Sequence, residues 1–150
     1  MLMQIMPGQA RGRQTGAFLT TRHAMQPFRI VVIGAGHTGT PLLQQLLAAP
    51  FVTVLGVADL DLSLPGIALA RSRGVPVTTR FTDLLTEHGN AVDIVIDVTG
   101  ELAVREALRR HMVAAGNQQT VILHERIALL MMSLSAGHRI EGRHGEVAYA

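Results

Sequence analysis

Three glycines, Gly34, Gly36 and Gly39, have the spacing G-x-G-x-x-G within the segment Gly-Ala-Gly-His-Thr-Gly. In a turn between a strand and a helix, the first glycine permits a tight bend and the second lets a phosphate approach the backbone. The third lets the helix pack closely on the strand. The N-terminus of that helix presents free N–H groups and a partial positive charge to an anion. The spacing therefore predicts a pyrophosphate-binding turn.

An acidic residue, Asp59, follows a second apolar segment at the distance from the glycines that dinucleotide binding requires. A carboxylate there can accept hydrogen bonds from ribose hydroxyls, but it would repel a ribose 2′-phosphate. We therefore expect NAD, rather than NADP, as the cofactor. A glycine turn in some other α/β protein, which binds coenzyme A or no ligand, is the competing interpretation.

The elements that must hold these residues follow from hydrophobic periodicity. Apolar segments alternate with helical patterns, which implies an α/β fold with a Rossmann-type doubly wound parallel sheet and strand order 3-2-1-4-5. In that order, the ligand crevice lies at the carboxyl ends of the first and fourth strands. The predicted strands are 28–33, 51–58, 75–79, 93–100 and 120–123, and the predicted helices are 40–49, 61–74, 82–89, 101–115 and 127–135.

Other polar residues are expected near this crevice. His37 either bonds the pyrophosphate or is an exposed residue at the helix start. Asp97 either contacts the nicotinamide ribose or caps the next turn, and Thr99 either reaches the cofactor or caps a helix. The expected cofactor-binding residues are Gly34, Gly36, His37, Thr38, Gly39, Asp59, Thr99 and Gly100.

The sequence assigns no catalytic residue, and His124 is the one candidate. It precedes Glu125 at the end of the fifth predicted strand, and a His-Glu pair would suit acid–base chemistry. Because neighbours in a loop usually point apart, a structural role is the alternative. The histidines His111, His124, His138 and His144 lack metal-ligand spacing, so we expect no metal site.

The composition narrows the class of protein. Hydrophobic residues make up 48% of the 150-residue chain and charged residues 16%, which is typical of a single globular domain. All 13 basic residues are arginine, so lysine chemistry is excluded. Scattered arginine and a lack of tryptophan argue against nucleic acid binding. The absence of cysteine agrees with a reducing cytoplasm, and no apolar segment is long enough to cross a membrane.

The sequence divides into three regions. Residues 1–26 carry no acidic residue and no sustained periodicity, and we expect a disordered leader or a mis-assigned start, with the true start at Met25. Residues 27–136 form the dinucleotide-binding domain. Residues 137–150 are a polar tail or an edge element.

Three stretches, GAGHTG, VADLD and DIVIDVTG, resemble the amino-terminal cofactor domain of two-domain dehydrogenases. The families are the Gfo/Idh/MocA oxidoreductases, homoserine dehydrogenase and dihydrodipicolinate reductase, and the resemblance covers about residues 28–136. It implies an NAD(P)-binding Rossmann domain. Where the Gfo/Idh/MocA domain has Glu-Lys-Pro with a catalytic lysine, this chain has Glu125-Arg126-Ile127, and arginine cannot exchange a proton near neutral pH.

Those families continue with a substrate domain, and this chain ends soon after the resemblance does. We therefore expect an NAD(H)-binding domain without a substrate domain, which senses the cofactor or depends on a substrate-domain partner protein. An oxidoreductase completed across a dimer and a coenzyme A or nucleotide-binding module are the alternatives. The segment 127–134 is apolar nearly all round, so we expect a homo-oligomer through this helix.

Overall fold

The computed structural model describes residues 25–142. Most of the predicted leader, residues 1–26, and most of the predicted tail, residues 137–150, lie outside these residues. The elements in chain order are β1 (Phe28–Ile33), α1 (Gly39–Ala48), β2 (Val52–Ala58), α2 (Pro65–Ser72), β3 (Val77–Thr78), α3 (Phe81–His88), a 3₁₀ turn (Gly89–Ala91), β4 (Ile94–Asp97), α4 (Leu102–Ala115), β5 (Val121–His124) and α5 (Glu125–Ala136).

All neighbouring strand pairs are parallel, in the order β3-β2-β1-β4-β5, which confirms the predicted fold class. β1 lies at the centre, and its Val31 and Val32 are fully buried on opposite faces. Helices α1, α2 and α5 pack on one face of the sheet, and α3 and α4 pack on the other. The carboxyl ends of β1 and β4 are adjacent, because Ile33 pairs with Asp97.

The short third strand differs from the prediction of 75–79. The N–H of Val75 closes the end of α2 by donating to Ala70 O at 2.9 Å, and Pro76 has no N–H to give to a ladder. Only Val77 and Thr78 therefore pair with β2.

The start of α2 also lies later than predicted. Asp61 Oδ1 accepts hydrogen bonds from the Ser63 hydroxyl at 2.5 Å and from the Ser63 N–H at 2.9 Å, which forms a turn before the helix. These two hydrogen bonds hold the pKa of the exposed Asp61 carboxyl below its usual value, and the bond from the Ser63 hydroxyl has the larger effect. The helix begins at Pro65. A residue at the first helical position has no intrahelical acceptor for its N–H, so proline is tolerated there without loss of a hydrogen bond.

The fifth strand runs directly into α5, without the predicted loop. His124 is the last residue of β5, and Glu125 is the first residue of α5. Glu125 is buried, with 6% of its surface exposed. Within residues 25–142, no helix has the length and apolar character needed to span a membrane.

Candidate functional site

The glycine turn connects β1 to α1 and has the geometry that the spacing predicted. Gly34 has φ +107°, a conformation that side chains disfavour. A Cβ at Gly39 would lie 2.6 Å from the carbonyl carbon of Gly34, so only glycine lets α1 begin this close to the strand. At Gly36, by contrast, an added Cβ would meet no atom nearer than Leu64 Cδ1 at 4.0 Å. Open space therefore remains in front of the second glycine.

The same turn presents unused hydrogen-bond donors. The N–H groups of Gly36, His37 and Thr38 have no acceptor within the described part of the chain. The first turn of α1 contains no acidic residue that would compete for an anion. Free N–H groups at the start of a helix form an anion-binding site, so these residues fit a pyrophosphate.

Asp59 follows β2 and is tied to the glycine turn. Its Oδ2 accepts the N–H of Ala35 at 2.9 Å, and its Oδ1 accepts the N–H of Asp61 at 2.9 Å. Each carboxylate oxygen retains acceptor capacity, so Asp59 can fix the turn and still bind a ribose hydroxyl.

A cavity of about 640 Å³ opens at this edge of the sheet, within the size range of small-molecule sites. It runs from the ends of β2 and β3, past the glycine turn, to the start of α4. The predicted site residues that line it are Gly34, Gly36, His37, Thr38, Gly39, Asp59 and Thr99. Gly100 does not line it; its φ of +69° shapes the turn before α4.

The cavity also has a wall that the sequence prediction missed. Leu60 and the segment Thr79–Thr82 line the side near Asp59. Leu60 is 86% exposed, and the side chain of Arg80 is 74% exposed. Arg80 contacts Asp83 at 3.7 Å, an exposed pair that contributes little to stability. The predicted strand order places the end of β3 beside β2, and this was the signal that could have identified the segment.

Asp97, Thr99 and His124 form a connected group at the ends of β4 and β5. Asp97 Oδ1 accepts the Thr99 N–H at 3.0 Å and the Thr99 hydroxyl at 2.6 Å. Asp97 Oδ2 lies 3.0 Å from His124 Nδ1. Asp97 therefore caps its own turn, which was one of the two interpretations of this residue. It also orients His124, and the sequence analysis did not predict that contact. His124 is not one of the residues that line the cavity.

Thr99 is the link between this group and the cavity. Its hydroxyl accepts the N–H of Glu101 at 3.2 Å while it donates to Asp97. Residues 25–142 contain no group of three or more His, Asp or Glu side chains that could hold a metal ion.

No protein-family model matches the chain. Its sequence is 34% identical over 91 residues to acetaldehyde dehydrogenase 2 of Salinispora arenicola, which covers 61% of this chain and 30% of that protein. It is 32% identical over 84 residues to acetaldehyde dehydrogenase of Roseiflexus castenholzii, covering 55% of this chain and 27% of that one. The matched segments thus span less than a third of these relatives. The sequence relatives are dehydrogenases, as the resemblance implied, but they are acetaldehyde dehydrogenases and not members of the families named from the motifs.

Solved structures whose backbone resembles part of this chain include two whose TM-scores lie below 0.5. GenD2 from gentamicin A biosynthesis, solved in complex with NAD, has a TM-score of 0.48 and 23% identity, covering 68% of this chain and 35% of its own. Myo-inositol 2-dehydrogenase from Lactobacillus plantarum has a TM-score of 0.46 and 13% identity, covering 74% of this chain and 42% of its own.

Proposed function

We propose that this chain is an NAD(H)-binding domain of dehydrogenase type that works with a substrate-binding partner or reports the cofactor's state to one. The observation that carries the proposal is the open space at Gly36. The cavity at this place is lined both by Gly36, His37 and Thr38, whose N–H groups are free, and by Asp59. A pyrophosphate and a ribose diol together need this combination.

The sequence relatives support the same class of function, since they are dehydrogenases. The absence of cysteine favours the reducing cytoplasm as its place of action. The partner-dependent role is supported by the shape of the site. Among the described residues, those that line the cavity gather at one edge of the sheet, and dehydrogenases need a further wall to exclude water and hold a substrate.

A second function, an oxidoreductase whose site is completed by another copy, is favoured by the position of α5. Four exposed apolar residues of this helix have the spacing i, i+3, i+4, i+7: Ile127, Leu130, Met131 and Leu134. The stripe begins only one helical turn after His124. A second copy packed on it would lie beside the carboxyl end of β5.

Calorimetric titration with NADH, NADPH, ADP-ribose and coenzyme A tests the proposal. We expect NADH and ADP-ribose to bind, NADPH to bind more weakly because its 2′-phosphate meets Asp59, and coenzyme A not to bind. Coenzyme A binding in place of NADH would favour the nucleotide-binding alternative. Absence of binding by all four would refute the proposal.

A further inference from the structure

The pairing of Asp97 with His124 leaves one imidazole nitrogen available. The two residues are directly opposite in the β4–β5 register. Asp97 is 2% exposed, and its carboxylate contacts His124 Nδ1 at 3.0 Å. A carboxylate accepts hydrogen bonds, so a neutral His124 donates its Nδ1–H and keeps a lone pair on Nε2. The His124 side chain is 30% exposed, and Nε2 has no hydrogen-bond partner among residues 25–142.

The order of the strands decides which end of a bound dinucleotide faces His124. The phosphates belong at the glycine turn after β1, and the adenosine ribose belongs at Asp59 after β2. Since β2 and β4 lie on opposite sides of β1, the other half of the dinucleotide must extend over β4 and towards β5. Thr99 lines the cavity on that side, and His124 is one strand farther.

We propose that His124 is a catalytic residue that exchanges a proton with the hydroxyl group of a substrate held at this edge, and that Asp97 is its positioning residue. This inference rests on the proposed function. When the substrate is oxidised, its O–H bond breaks, the proton passes to His124 Nε2 and a carbonyl forms. The bound dinucleotide supplies the acceptor for the electron pair of the adjacent C–H bond. The imidazolium faces the Asp97 carboxylate and returns its proton to solvent.

The hydrogen bonds of Thr99 make the role of Asp97 testable. The Thr99 N–H can only donate, so in Asp97→Asn the amide oxygen must stay on the Thr99 side. The amide NH₂ then faces His124 and forces Nδ1 to become the acceptor. His124 should change to the tautomer with its proton on Nε2, which cannot accept a proton there. A substitution that only loosened packing would leave a mixture of tautomers.

The first measurement is the ¹⁵N NMR spectrum of the His124 ring in the full chain. We expect the Nδ1–H tautomer in the wild type and the Nε2–H tautomer in Asp97→Asn. The matched control is Asp93→Asn, since Asp93 lies at the opposite end of β4 and accepts the N–H of Arg29. It should leave the wild-type tautomer in place. The Nε2–H tautomer in the wild type would overturn the inference.

The second measurement needs no variant and keeps the test valid if Asp97→Asn fails to fold. Diethyl pyrocarbonate acylates a neutral imidazole nitrogen, and peptide mapping gives the rate at His124, with the exposed His138 as an internal control. At about ten times its Kd, NAD leaves about a tenth of the sites free, so acylation of His124 should slow about tenfold. ADP-ribose, which lacks the nicotinamide, should change the rate by less than about twofold at equal saturation.

The outcomes separate the two proposals. Binding of NAD by calorimetry without selective protection of His124 would overturn this inference and leave the proposed function standing. No binding of either ligand would overturn both. Selective protection by NAD, together with the tautomer change in Asp97→Asn, would support the assignment of His124 as the proton-exchanging group.

Discussion

Gly36 and Gly39 share one turn, but we expect glycine to be required at the two positions for different reasons. A Cβ at Gly39 would overlap the carbonyl group of Gly34, whereas a Cβ at Gly36 would point into open space. The first is a requirement of folding. The second is a requirement that only a ligand would impose, and single substitutions can therefore separate the two.

Gly36→Ala should change the free energy of unfolding by less than about 0.5 kcal/mol, because the methyl group meets no protein atom. The same methyl group should hold a pyrophosphate away from the free N–H groups and weaken NADH about tenfold to a hundredfold. Gly39→Ala is the contrasting variant and should lower stability by about 3 kcal/mol. Thermal unfolding and calorimetry measure both effects, and unchanged NADH affinity in Gly36→Ala would contradict the placement of the phosphates.

Asp59→Ala should weaken NADH by about 1–2 kcal/mol, since one or two charge-assisted hydrogen bonds to the ribose are lost. It should also narrow the preference for NADH over NADPH, because it removes the repelling charge while Arg80 still lines the cavity. The neighbouring acid supplies the control, Asp61→Ala, whose carboxylate is exposed and bonds Ser63. If the wild type bound NADPH as tightly as NADH or more tightly, Asp59 could not be the residue that excludes the 2′-phosphate.

At the scale of elements, the sheet was predictable because its signals are local. Alternating apolar segments and the glycine turn sufficed for strand order 3-2-1-4-5, and seven of the eight cofactor-binding residues predicted from them line the cavity. The pairing of Asp97 with His124 was not predictable, because it depends on the β4–β5 register, which no pattern in either segment specifies. The start of α5 at Glu125 was missed for a related reason. Its first residue is charged yet buried, so hydrophobic periodicity placed the start two residues later.

Helix α5 is apolar on both of its long faces, and the structure covers only one of them. Ala128 and Met132 pack on the sheet, with 0% and 2% of their surfaces exposed. On the outer side, Leu130 is 53% exposed and Leu134 is 74% exposed. A second copy of the chain is the occupant we propose for this outer stripe, since two identical helices can bury identical apolar surfaces about a two-fold axis.

Leu130→Glu should convert the assembly to a monomer, because a buried charge without a partner costs several kcal/mol. Light scattering in solution measures the mass. Val113→Glu is the matched control, since Val113 is also an exposed apolar residue, 75% accessible, but lies on α4. It should leave the mass unchanged. A wild-type chain that is a soluble monomer at high concentration would refute the prediction.

At the scale of the whole molecule, the polar groups of the site gather at one edge of the sheet. The glycine turn, Asp59, Thr99 and His124 all lie at the carboxyl ends of strands, as ligand sites in open α/β sheets do. Such an edge can bind a cofactor along one side and leaves its other side uncovered. Rapid hydride transfer further requires a substrate near contact distance and a cover over the nicotinamide.

The last prediction is therefore that this 150-residue chain alone shows little or no dehydrogenase turnover, although it binds NADH. Arg126 stands where the Gfo/Idh/MocA domain, which the sequence resembles, has a catalytic lysine. Because guanidinium stays protonated, we expect His124, and not Arg126, to exchange the proton. The assay measures NADH oxidation and NAD reduction with sugars, polyols, hydroxy acids and aldehydes, at concentrations where the chain is assembled. Turnover above about 1 per second, ordinary for an enzyme, would contradict the partner-dependent role. If that turnover disappeared in His124→Ala but persisted in His111→Ala, the enzyme completed by a second copy would be the correct interpretation.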